Sequence, residues 1–92
     1  MVYLVCYDIV CDRRRLKVAH VLEGYGLRVQ KSVFECGFSE RQFELVRNQI
    51  QRIMQEKEDQ VRFYPMNHAC QEKALVLGIQ PNFTVSDSAI IL

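Results

Sequence analysis

The chain has 92 residues, 49% of them hydrophobic and 25% charged, with a net charge of +1. That balance belongs to one ordinary globular domain and excludes a disordered, collagen-like or multi-core chain. With 12 bases against 11 acids, bulk charge neither demands nor excludes nucleic acid.

Distribution says more, because residues 1 to 34 carry a surplus of +3 while the remaining 58 carry −2. The cysteines, Cys6, Cys11, Cys36 and Cys70, include no CxxC pair, which favours a reduced, cytoplasmic setting over a disulfide or zinc framework. The first residues enter a strand-like run directly and no apolar stretch reaches spanning length, so neither export nor a membrane is expected.

Val2 to Tyr7 is a β-branched and aromatic run ending at Asp8, the pattern of a strand entering a loop. Asp12 is placed to cap a helix over Arg13 to Glu23, with Val18, Ala19, Val21 and Leu22 on one side and Lys17, His20 and Glu23 opposite. Gly24 to Gly26 stops it. Leu27 to Cys36 is strand-rich, but its alternation breaks at Lys31 and Ser32, so a bulge or a tight bend between two short strands is expected there. Ser39 to Gln42 matches a capping box, and Phe43, Val46, Ile50, Ile53 and Met54 carry a second helix to about Lys57. Val61 to Tyr64 is a strand that Pro65 ends near a sheet edge. Residues 66 to 73 have room for one helical turn, and Ala74 to Ile79 reads as a last strand. Residues 1 to 79 then form the domain and 80 to 92 a C-terminal tail.

The order β, α, β, β, α, β plus an extra strand is that of an α+β, ferredoxin-like sandwich. Helices in that arrangement cover one face of the sheet. The first strand sends Val2, Leu4 and Cys6 to one face and Tyr3, Val5 and Tyr7 to the other, so both faces are apolar. We expect the face with Tyr3, Val5 and Tyr7 to meet a second copy in a two-fold homodimer, the alternative being that the extra strand and tail fold back over it.

Arg13, Arg14 and Arg15 stand in the first turn of a helix, where the macrodipole disfavours cations by ~0.3 to 1 kcal/mol each. Such a violation fits a surface that meets anions. Arg14 and Arg15 project toward the end of the first strand and Asp8, whereas Arg13 and Lys17 look outward. A solvated charge run with two snorkelling stems is the plainer reading. Asp8 sits in a loop mouth where a carboxylate can hold Mg²⁺ against phosphate oxygens, and a two-fold axis would supply a second Asp8. The alternative makes Asp8 a turn former bonded to the next loop amides. His20 and His68 read as surface histidines, and no zinc pattern, Walker loop or dinucleotide fingerprint is present.

The stretches YLVCYDI, DRRRLKVAHVLEGYGLRVQKSVFEC, SERQ and VRFYPM resemble the second CRISPR-associated protein family, small dimeric partners of the CRISPR integrase, over residues 1 to about 79. The resemblance implies an antiviral spacer-acquisition role, a homodimer across sheet faces and a C-terminal strand that crosses to the partner. It also implies a Mg²⁺-dependent endonuclease of the endoribonuclease type, acting on RNA or DNA. On these positions Asp8 matches the metal aspartate with Tyr7 beside it, Arg15 and Arg28 match basic positions, and Phe34 matches an aromatic. Where members often show paired acids before the basic run, this chain has Val10, Cys11 and Asp12.

Two functions follow. One is a scaffold that bridges integrase dimers and holds a DNA duplex or RNA backbone through Tyr7, Arg13, Arg14, Arg15, Lys17, Arg28 and Phe34. The other is hydrolysis at a metal shared by Asp8. One carboxylate without a general base favours the scaffold. A ferredoxin-like regulatory or oligomerisation module, with solvated arginines, is the third reading.

Overall fold

The computed structural model describes residues 1–79 of the chain. Strand β1 spans Val2–Asp8, helix α1 Asp12–Glu23, β2 Gly26–Gln30, β3 Val33–Gly37, α2 Glu40–Ile53, β4 Gln60–Met66 and α3 His68–Lys73. The strands form one sheet in the order β2-β3-β1-β4, every neighbouring pair antiparallel. This is the α+β, ferredoxin-like arrangement, with α1 crossing over β3 and α2 crossing over β1.

Local chemistry explains most boundaries. Ser39 Oγ accepts the Gln42 amide at 3.1 Å while the Gln42 side chain accepts the Ser39 amide at 2.9 Å, so the capping box starts α2. Lys31 and Ser32 turn β2 into β3, and the register shifts between Arg28 and Gln30, so the bend and the bulge are both present. Gly26 lies against β3 so closely that a Cβ would stand 1.9 Å from the Glu35 carbonyl oxygen. Pro65 falls inside β4 and is tolerated because β4 is an edge strand.

Under the helices, Val5 and Phe34 stand side by side with Tyr7, Cys36, Val18, Leu22, Val46 and Ile50 in one buried cluster. Each such aliphatic or aromatic side chain contributes about 1.5–3 kcal/mol by leaving water.

Four expectations are corrected. The face of β1 with Tyr3, Val5 and Tyr7 is the one the helices cover, not the open one: Val5 is 0% and Tyr7 5% exposed, and Tyr3 packs on the same cluster. Alternation could not separate the faces because both are apolar, and the choice falls to cross-strand register, which sets Val5 beside Phe34 and Phe63. The open face instead carries Leu4 and Cys6 of β1, Leu27 of β2, Val33 and Glu35 of β3, and Arg62 and Tyr64 of β4.

Ala74 to Ile79 is no strand in this chain. Leu75, Leu77 and Ile79 are 79%, 84% and 97% exposed, because a strand needs a neighbouring ladder and no described strand pairs with this segment. Finally, Cys11 rather than Asp12 is the N-cap of α1, and α2 ends at Ile53, short of Lys57. The tail, residues 80 to 92, lies outside the described residues.

Candidate nucleic-acid and metal site

β1 delivers an exposed Asp8 to its C-terminal end, and after three intervening residues α1 begins at Asp12. The loop between them is tied down from another part of the chain. Asp59, just ahead of β4, keeps its carboxylate out of water and accepts the amides of Val10 at 3.2 Å and Gln55 at 2.9 Å. It also accepts Arg14 Nε at 2.7 Å and Nη2 at 3.2 Å. The Arg14 hydrogen bonds, opposed in part by burial and helped by the two amides, lower the Asp59 carboxyl to about 2.

Because Asp59 serves the loop amide, Asp8 is not the turn former of the alternative reading. Among the described residues its carboxylate takes part in no hydrogen bond or ion pair, and it stays open to an external partner.

The arginines separate by role. Arg14, expected at a phosphate, is held by Asp59 and by Glu58 at 3.1 Å. Arg15 bonds the Ile9 carbonyl through Nε at 3.3 Å and Asp12 Oδ1 through Nη1 and Nη2 at 2.7 and 2.6 Å, which keeps its guanidinium beside the residue that follows Asp8. Arg13 and Lys17 are exposed and make no ion pair among the described residues.

Arg28 reaches the same end of the sheet from β2. Its Nη1 donates to the Lys31 carbonyl at 2.8 Å, and its guanidinium lies 5.1 Å from the centre of the Phe34 ring. The Ser32 carbonyl accepts the Tyr7 amide at 3.0 Å, so the β2–β3 turn is fastened to the end of β1. Asp8, Arg15 and Arg28 therefore share one end of the sheet.

Two aromatic positions expected on the nucleic-acid surface point inward. Phe34 is completely buried and serves as the seat of Arg28, and Tyr7 stacks on it at 6.3 Å. The Tyr7 hydroxyl is buried without a partner, and burial raises its pKa against the opposing charges of Arg28 and Arg15. Neither ring is available to stack on a base.

At the helix start, the amides of Arg14 and Arg13 lower the Cys11 thiol below its ordinary value. His20 and His68 are exposed beside Glu23 and Glu72, and no group of three His, Cys, Asp or Glu side chains converges among the described residues. Asp59 escaped sequence reasoning because it closes a charged run, Glu56 to Asp59, in which nothing distinguishes one buried carboxylate from its solvated neighbours.

Together these features define a ferredoxin-like sandwich with a free carboxylate at one strand end, flanked by a basic helix start. The family model for CRISPR associated protein Cas2 matches residues 1–74, and the chain belongs to that family. A CRISPR-associated endoribonuclease Cas2 of Synechocystis sp. is 41% identical over 90 residues, covering 98% of this chain and 97% of its own.

Among solved structures, Cas2 of Streptococcus pyogenes superposes with a TM-score of 0.77 at 35% identity, over 85% of this chain and 100% of that one. A chain in a partial Cas6-RT-Cas1–Cas2 complex superposes with a TM-score of 0.72 at 30% identity, over 91% and 97%. No helix among the described residues is long and apolar enough to cross a membrane.

Proposed function

We propose that the protein works in CRISPR spacer acquisition as a homodimeric, nucleic-acid-binding adaptor that bridges the integrase. The carrying observation is that a chain sharing its fold at 30% identity is solved within a Cas1–Cas2 complex. The surface supports the reading. Arg13 and Lys17 are exposed cations with no ion pair among the described residues, and Arg15 and Arg28 are held at the same sheet end by the carbonyls of Ile9 and Lys31. Such groups take phosphate oxygens and release counterions without reading bases. The dimer buries the open face around Leu4 and Cys6, with the two-fold axis near β1. The test is duplex binding against salt, together with co-sedimentation with the integrase. Affinity indifferent to salt, or an adaptor that never co-sediments, overturns the reading.

The free carboxylate of Asp8 favours a second reading, Mg²⁺-dependent phosphodiester hydrolysis. One chain offers Mg²⁺ a single carboxylate, and two copies offer Asp8 and the partner's Asp8, within the one or two carboxylates plus water and substrate that the ion usually takes. The ion would polarise the scissile phosphate there. Arg15 and Arg28 would orient the strand and offset its charge. Cleavage that survives Asp8→Asn removes this second role and leaves the adaptor intact.

A further inference from the structure

Away from Asp8 and Gln60 at the far end of β1 and β4, the open face of the sheet is largely apolar and carries two opposite charges, Glu35 on β3 and Arg62 on the edge strand β4. Glu35 on β3 and Tyr64 on β4 both stand directly opposite Leu4 of β1, one on each side. Arg62 stands opposite Cys6 on the same face and donates from Nη1 to the Tyr64 hydroxyl at 3.0 Å and from Nε to Gln60 at 2.9 Å.

Glu35 has no ion pair among the described residues. Its neighbours across the ladders are Leu4 and Leu27, and burial alone already raises its carboxyl. Arg62 likewise has no acid partner among the described residues, and Tyr64 is 44% exposed. Covering this face with an apolar partner would strand a carboxylate and a guanidinium away from water, which costs several kcal/mol per charge. A covering partner must therefore bring a cation to Glu35 and an acceptor to Arg62.

A second copy brings both. A two-fold axis that lies in the face and runs along β1 over Leu4 exchanges the β3 side of one copy with the β4 side of the other. Glu35 then falls on the position of Tyr64, with Arg62 beside it, and symmetry repeats the match. The same axis keeps Asp8, itself on β1, close to its mate.

We propose that Glu35 of each copy docks on the Arg62–Tyr64 pair of the other, and that this double clasp sets the register of the homodimer. The inference rests on the sheet-to-sheet packing proposed above. It adds to it a reason why the apolar face selects its own kind.

The test is sedimentation equilibrium of the full chain and of Glu35→Arg, Arg62→Glu and the double exchange. The wild type is expected to be a dimer, each single reversal to raise the dimer dissociation constant roughly tenfold or more, and the double exchange to recover most of that loss. A monomeric wild type at micromolar concentration overturns the packing and the clasp together. A dimeric wild type with indifferent single reversals, or with a double exchange no better than the singles, overturns the clasp alone. Should a reversal variant fail to fold by circular dichroism, Glu35→Gln and Tyr64→Phe decide: dimers as tight as the wild type's count against the clasp, and weakened ones support it.

Discussion

Arg14 places its Nε 2.7 Å from Asp59 Oδ2 across 45 residues of sequence, and this pair determines which cations at the start of α1 remain available to a partner. It also explains why Asp8 is idle in the fold, since the loop amide it would otherwise bind goes to Asp59.

Asp59→Asn should therefore weaken the fold and change its acid response. The folded-state pKa of about 2 lies below the ordinary 3.8, so the contribution is fully present above that ordinary value and is lost as pH falls through the folded one. Thermal melts from about pH 5 down to about pH 2 should show the wild type losing stability more steeply than the variant. Parallel curves would mean that Asp59 is not held as an anion.

Asp8→Asn should leave the melting curve in place, within ~0.5 kcal/mol, because the exposed carboxylate takes part in no intrachain hydrogen bond or ion pair among the described residues. Calorimetric titration with Mn²⁺ should show uptake by the wild type that the variant loses. Equal uptake by both moves the cation elsewhere.

Charge reversal separates the arginines. Arg13→Glu and Lys17→Glu should each lower the slope of log affinity for duplex DNA against log salt by about one, with unchanged melting. Arg14→Ala should instead lower the melting temperature, since it releases a carboxylate held inside the protein. If Arg13→Glu leaves the slope untouched, the phosphate path runs over another surface.

Gly26→Ala should cost more than about 1 kcal/mol in urea denaturation, because the new Cβ would meet the Glu35 carbonyl oxygen at 1.9 Å and the Cys36 Cα at 2.6 Å. A neutral result would show that β2 and β3 separate at that point.

Cys36 is pushed up to about 12, chiefly by burial, and should resist a thiol reagent at about pH 8 until the protein unfolds, while exposed Cys70 reacts at once. Prompt labelling of Cys36 in the native state would contradict the burial of β3 under α1.

Much of this was legible in the residues. The capping box at Ser39, the break at Lys31 and Ser32, the edge position of Pro65 and the single turn after Met66 are local signals, each decided within a few residues. Asp8 stood out because a lone acid ends an apolar run. What failed was non-local. Phe34 and Tyr7 looked presentable to nucleic acid by type and position, yet both belong to the buried cluster under α1 and α2.

The chain's own order of apolar runs, helix starts and breakers determined the element order and the basic helix start beside Asp8, because propensity, capping and turn chemistry act over short stretches. Which face of β1 the helices cover, which arginine is free and which carboxylate is spent were decided only in three dimensions. An alternating strand with two apolar faces carries no information about its neighbours. The Arg14–Asp59 pair exists only after β4 has been laid against β1.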